Sequence, residues 1–400
     1  MEQGLNLAVT AAAAGSIVVW GMASGRLQRW NVTAPMFFVL AGWVLTNGPT
    51  GVAEVRIDST GVRDVTELAL ALVLFGDAAQ VRVRDLGRDA GPPARLLLIG
   101  LPLTMVLGTL VAKWVLPDLS WWVCAVVGIA VAPTDAALGA AIVEDERVPE
   151  RVRRILNVES GLNDGIATPF VKLALVAAVA GTALETGSEG GALLELLIGA
   201  VGGALIGLVG GAALVRARAT GWGTSSAHAL AVAALAVGAF AAMDELGGNG
   251  FIAAFVAGLA YGAITRSAPD AGLHFTHQVG GLMSMLVWFI FGAVMLPVLQ
   301  YAGWREIVFA ALALTVVRML PVALSLLGVG FDRFTVVVMG WFGPRGLASV
   351  VFALLAVDAL APADTVRVVA AITATVVGSV VLHGASAAPV SSRYSATEGS

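Results

Sequence analysis

Charge is what this chain of 400 residues has least of. Asp, Glu, Lys and Arg make up 12% of it, against 58% hydrophobic residues and a mean hydropathy of +0.88. Ordinary globular chains carry about 25% charged residues. There is too little polar material here to cover a water-facing surface, and the same numbers exclude a disordered chain or a collagen-like fibre. Cysteine is nearly absent: Cys124 stands alone, which excludes a disulfide scaffold and a multi-cysteine metal site. Basic surplus is absent too, since a net charge of −4 leaves no footprint for nucleic acid. No linker, charge run or low-complexity segment divides the chain. Long apolar runs are what remain, and they read as a polytopic, all-α membrane protein with no soluble domain.

A spanning helix needs about 20 mostly apolar residues. Thirteen candidate spans are centred on 5–23, 33–47, 65–79, 94–116, 121–143, 155–180, 191–214, 224–243, 250–264, 279–299, 307–329, 335–357 and 366–385. Cytoplasmic loops are enriched in Lys and Arg, and the basic residues sort accordingly. Arg26, Arg29, Arg82, Arg84, Arg88, Arg95, Arg147, Arg151, Arg153, Arg154, Arg216, Arg218, Arg266, Arg333 and Arg393 fall on one side. Arg56, Arg63, Arg305 and Arg367 fall on the other, among acids such as Glu185, Asp244, Glu245 and Asp358. The expected topology in the cell membrane therefore has the N-terminus outside and the C-terminus cytoplasmic. The first span opens Met1-Glu2 without a basic lead and is read as retained.

Four basic residues remain inside spans: Lys113, Lys172, Arg318 and Arg345. A charge at the bilayer centre costs about 2.5–3.5 kcal/mol on insertion scales, so intramembrane ionisable groups are functional candidates. Lys113 lies near its span end and snorkels. The fifth span contains Pro133-Thr134-Asp135, where proline removes a backbone donor and suggests an unwound stretch. A capped proline kink is the bland alternative. The sixth contains Asn157-Val158-Glu159-Ser160-Gly161-Leu162-Asn163-Asp164-Gly165, in which Ser160 and Asp164 share one stripe and Glu159 and Asn163 its neighbour. The twelfth contains Gly343-Pro344-Arg345-Gly346, a second broken helix. Arg345 needs a buried anion, and Glu159 or Asp135 can supply it. Asp77 ends the third span, solvated or functional. Lys172 and Arg318 suit structural ion pairs. His274 and His277 read as a solvated loop, and the four histidines assemble no metal site.

The two interrupted spans are the fifth and the twelfth. An odd offset sends them through the membrane in opposite senses, the signature of inverted-topology repeats with a site at the midplane. Broken ends leave helix dipoles inside the protein. Asp135 suits the positive ends and Arg345 the negative ones. That assignment leaves Asp164 for other work: a buried carboxylate there would bind a cation, or a proton in its place.

These motifs, with Gly250-Phe251-Ile252-Ala253-Ala254-Phe255-Val256-Ala257-Gly258 and His383-Gly384, resemble the monovalent cation/proton antiporters of the bacterial and animal sodium/proton exchanger family, in order from the second span to the last. The resemblance implies a homodimer that moves by an elevator-like cycle. Its core would be built around 65–180 and 279–388, with the other helices as dimerisation scaffold. It implies Asp164 as the cation- and proton-binding carboxylate, with Ser160 and Thr134 as further ligands to Na⁺. Asn163 would hold the site's shape, and Glu159 would pair with Arg345. Asp77 stands where the family often has glutamate. The Asn163-Asp164 pair implies electroneutral exchange of Na⁺, or of Li⁺ or K⁺, for H⁺. No cofactor is implied, since the ions are the substrates.

Other classes fit less well. An intramembrane aspartyl protease needs two carboxylates sharing a proton, usually in Gly-x-Gly-Asp, where this chain has Gly161-Leu162-Asn163-Asp164. An organic-anion transporter of the same fold would want surplus positive charge. A cation channel would want a ring of acids.

Overall fold

A computed structural model describes residues 7–30, 32–47, 60–80, 91–135, 138–180, 188–265 and 271–397. Arg56, Arg82, Arg84, Arg88, Glu185 and Arg266 lie outside them. The described residues form helices joined by turns, with no strand among them. In order these are α1 (Leu7–Arg29), α2 (Ala34–Asn47), α3 (Thr60–Gln80), α4 (Gly91–Arg95) running through a π-type turn into α5 (Leu101–Val115), α6 (Trp121–Ala130) and α7 (Ala140–Val143). Then come α8 (Glu150–Ala180), α9 (Ser188–Ala219), α10 (Ser225–Glu245), α11 (Gly250–Thr265), α12 (Ala271–Ile290), α13 (Trp304–Leu314) and α14 (Val316–Ser325). The last are α15 (Arg333–Trp341), α16 (Leu347–Ala359) and α17 (Pro362–Thr397).

Among the described residues, eight helical segments are long and apolar enough to cross a membrane, and four more, including α6, α11 and α16, are apolar but shorter. Each of the thirteen spans read from the sequence falls on a helix or on helices joined through a break. Local chemistry sets several boundaries. Ser120 caps α6, its Oγ accepting the Val123 N–H at 3.2 Å, and Thr224 caps α10 in the same way through Ala227. Asp332 caps α15 through the Thr335 N–H at 3.1 Å, and hydrogen bonds from the Thr335 hydroxyl first, then from the backbone N–H groups of the cap, hold its carboxyl below the usual range. The loop Asp145–Arg147 is closed by an ion pair of 2.6 Å, and the Arg147 guanidinium holds Asp145 at about 2. That pair stays formed at any pH near neutrality.

The chain divides into two compact units. The first comprises Met1–Val65, Gly91–Asn163 and Met285–Ser400. Its largest described core joins Leu96, Val152, Ile155, Val322, Met339 and Phe342 with Ala387 and Tyr394 of α17. Asp118, in the loop before α6, ties together the N-terminal turns of α13 and α17, taking Arg305 at 2.8 Å and Arg367 at 3.3 Å. Arg367 also reaches Glu306 at 3.0 Å.

The second unit comprises Thr66–Ala90 and Asp164–Ser284. Its core centres on Phe75, Ala236, Ala257 and Tyr261. There α9 packs backbone to backbone on α11: a Cβ at Gly199, Gly203 or Gly207 would meet the main chain of Asn249, Ala253 or Ala257 in turn. The opposite face of α9 leaves Leu193, Leu197, Val201 and Leu205 outward, which only lipid or another apolar surface can cover. Overpacking a tight contact costs about 1–3 kcal/mol, and backbone cannot step aside as a side chain does. Gly203→Leu is therefore expected to lower the thermal midpoint in detergent by roughly 2–10 °C. Gly15→Leu, at a position with nothing within 4 Å, should leave it unchanged.

His274 and His277 do not lie in a loop as expected. Both belong to α12, which starts at Ala271, because nothing in Ala271-Gly272-Leu273-His274 stops a helix. His274 is exposed. The His277 ring packs against Gly76 of α3 and meets the Gln80 amide.

Candidate functional site

Both interrupted helices are broken where the sequence placed the breaks. α6 ends at Ala130, and Ala132 to Asp135 run on without helix. α15 ends at Trp341, and helix resumes at Leu347. Between them Phe342 sits at φ −79°, ψ 65°, with Gly343 N–H donating to the Trp341 carbonyl at 2.8 Å. This is an inverse γ-turn.

The two breaks satisfy each other. The Asp135 N–H donates to the Pro344 carbonyl at 2.8 Å, and the Asp135 carboxylate accepts the Leu347 N–H at 3.0 Å, capping the start of α16. It also accepts the Leu138 N–H at 3.2 Å. In return, Arg345 Nη1 donates to the carbonyls of Ala132 at 2.6 Å and Pro133 at 3.2 Å, just past the end of α6. Ser349 Oγ donates to the Ala130 carbonyl at 2.7 Å. An acid thus faces a helix start and a cation faces a helix end, the arrangement that the helix dipole favours. The glycines of Gly343-Pro344-Arg345-Gly346 leave room for this. A Cβ at Gly346 would collide with the Asp135 carboxylate, and one at Gly343 would press on the Arg318 guanidinium and lie 2.9 Å from the Thr134 methyl.

Thr134, freed from helix by Pro133, points its hydroxyl at α8. Thr134 Oγ1 lies 2.9 Å from Ser160 Oγ and accepts the Asn163 amide N–H at 2.6 Å. All three are buried. Asp164 follows Asn163 directly, 8% exposed, with its carbonyl accepting the Thr168 hydroxyl at 2.7 Å. The adjacent Gly165 leaves room for the Phe255 ring. Asp77 is half-buried near the end of α3.

The expected pairing of Glu159 with Arg345 is corrected. Glu159 takes both its bonds from Arg318, at 2.5 Å from Nη1 and 2.8 Å from Nη2, with both side chains at most 2% exposed. Arg345 is occupied by carbonyls instead, including a longer contact of 3.4 Å to Ala313. The open end of a helix carries enough negative charge to hold a guanidinium without a carboxylate. The structural ion pair expected for Arg318 is present. Lys172 instead sets its ammonium over the Phe251 ring, 5.5 Å from the centroid.

Sequence reasoning gave His383 no role. It is buried on α17, with Nε2 2.7 Å from the Trp341 carbonyl oxygen and Nδ1 3.0 Å from Ser379 Oγ. The available signal was a serine and a histidine four residues apart in an otherwise apolar span.

Two broken helices crossing inside an apolar bundle, their open ends compensated by the protein itself, are the architecture of a secondary transporter. The chain belongs to the family described as "Sodium/hydrogen exchanger, transmembrane", which matches residues 14–393. It is similar to the K(+)/H(+) antiporter NhaP2 of Shewanella sp. strain ANA-3, 27% identical over 328 residues, covering 79% of this chain and 54% of that protein. The K(+)/H(+) antiporter NhaP of Alkalimonas amylolytica is 23% identical over 330 residues, covering 81% and 56%. The chain thus spans about half the length of the curated relatives it matches. Among solved structures, the sodium proton antiporter MjNhaP1 from Methanocaldococcus jannaschii superposes with a TM-score of 0.76 over 96% of this chain and 98% of that one, at 18% identity. At that identity the match establishes the fold.

Proposed function

We propose that this protein exchanges a monovalent cation for a proton across the cell membrane by alternating access, with Asp164 as the carboxylate for which the two compete. The observation that carries this reading is the buried polar run of the α8 motif at the break after α6: Thr134 Oγ1 is hydrogen-bonded to Ser160 and Asn163, and Asp164 follows Asn163 directly, 8% exposed. Around it Glu159 and Arg318 hold each other, Arg345 holds the end of α6, and Asp135 caps α16. Ser160 and Thr134 add oxygen ligands, Asn163 orients Thr134, and Asp77 is a further candidate acid. Family membership supports the same reading, with Na⁺ as the leading substrate and Li⁺ as a substitute. The relatives described as K(+)/H(+) antiporters give K⁺ as the second reading. The working assembly is a homodimer with its N-terminus outside and its C-terminus cytoplasmic. Its core is built on 65–180 and 279–388 and its exchange is electroneutral.

Purified protein in liposomes, with collapse of a pH gradient followed as Na⁺, Li⁺ and K⁺ are added in turn, tests the reading. One shared site predicts that the apparent KM for the cation rises as pH falls, and that excess cation restores the rate on the acidic side. An acidic limb that saturating cation leaves in place would mean that proton and cation bind at separate groups.

A further inference from the structure

In an unbroken helix the N–H of residue 345 would donate to the carbonyl of residue 341. Here α15 has ended at Trp341, and that bond is not made. Both groups nevertheless engage side chains of α17, the Trp341 carbonyl in addition to the bond it accepts from the Gly343 N–H. The Arg345 N–H donates to Ser379 Oγ at 2.7 Å, Ser379 Oγ lies 3.0 Å from His383 Nδ1, and His383 Nε2 lies 2.7 Å from the Trp341 carbonyl oxygen. The Trp341 carbonyl oxygen only accepts, so Nε2 donates to it, while Nδ1 lies between the two oxygens of Ser379. Nδ1 also lies 2.8 Å from the Ser379 carbonyl, the helical acceptor four residues back. Ser379 is fully buried, His383 is 3% exposed, and the imidazole is braced by the Trp341 ring at 5.2 Å and the Phe342 ring at 6.1 Å.

We propose that Ser379 and His383 form a relay that splices the missing 345-to-341 hydrogen bond across the break, and that both are positioning residues for cation binding. The relay fixes the main chain at Arg345 while holding the two helix ends apart. Arg345 in turn grips the carbonyls of Ala132 and Pro133, and Gly343 abuts Thr134. The position of the Thr134 hydroxyl, and with it the hydrogen bonds to Ser160 and Asn163, is thereby set from α17. Serine four residues before histidine is required because one helical turn separates the two side chains.

This role rests on the exchange reading above, so the test has an arm that does not depend on transport. Wild type, Ser379→Ala, Ser379→Cys and His383→Ala are compared for cation KM and for Vmax per folded transporter in liposomes. Amide hydrogen exchange at Arg345 is followed in the same proteins. Ser379→Ala is expected to raise KM about tenfold, the equivalent of one buried hydrogen bond, with Vmax per folded transporter within about twofold. The Arg345 amide should exchange about tenfold faster. Ser379→Cys keeps the shape with a weaker hydrogen-bonding group and should fall between. Ser379→Ala combined with His383→Ala should be no worse than His383→Ala alone, because either removal opens the same relay. An Arg345 amide as protected in Ser379→Ala as in wild type overturns the relay. A faster amide with unchanged KM, or a loss of Vmax alone, overturns the positioning role. A wild type that moves no protons with any of the three cations overturns the exchange reading, and the amide measurement still decides the relay.

Discussion

Asp164→Asn is expected to reduce cation-driven proton flux to the background of protein-free liposomes while the protein keeps its wild-type thermal midpoint. The substitution is nearly isosteric, so packing beside Gly165 and Phe255 survives. The chemistry does not survive. An amide cannot release a proton in the accessible pH range, and it has no negative charge to offer a cation. Asp164→Glu keeps both abilities on a longer arm and should shift the pH dependence instead of erasing it. The same substitutions at Asp77 separate the two acids: flux retained in Asp77→Asn and lost in Asp164→Asn assigns the exchange to Asp164. Cation-driven flux persisting in Asp164→Asn would remove it from the centre of the mechanism.

The largest effect on stability is expected at the pair of Glu159 and Arg318. Their bidentate contact is almost wholly out of solvent. Removing one partner of such a pair leaves an uncompensated buried charge, at a cost of about 3–5 kcal/mol. Glu159→Leu and Arg318→Met should each lower the thermal midpoint sharply. The double variant should be more stable than either single one, since replacing both charges with apolar groups is often neutral or better. A double-mutant cycle reads the coupling directly, and contacting residues show about 0.5–3 kcal/mol. The same cycle between Glu159 and Arg345 should give a smaller value. Equal coupling in the two cycles, or none between Glu159 and Arg318, would contradict the contact seen here.

Much of this site is legible in the sequence alone. Pro133 and Pro344 each remove a helical hydrogen bond, so the breaks announce themselves locally, and an acid at one and a base at the other follow from dipole signs alone. Charges in a chain this apolar are conspicuous, which is why Glu159, Asp164, Arg318 and Arg345 all stood out. What the sequence could not assign was partners. The choice between two intramembrane arginines for Glu159 depends on the register between α8 and α14, 159 positions apart. It also depends on whether a guanidinium finds carbonyls first, as Arg345 does. His383 was invisible for a related reason: its partner is a hydrogen bond missing from another helix, and an absence in one segment leaves no mark in the sequence of a second.

The mutual capping of the two breaks bears on how the protein is made. The groups that close the end of α6 arrive late in synthesis: Arg345 lies 213 positions after Ala132, and Ser349 lies 219 after Ala130. Until those residues emerge from the ribosome and enter the bilayer, the carbonyls past Ala130 have no partner from this crossing. Ser379 and His383 are later still. The nascent chain must therefore hold an incompletely satisfied α6 in the membrane while the 213 positions from Ala132 to Arg345 are made. The crossing locks only when α17 is inserted, which makes the earlier helices dependents of a later one.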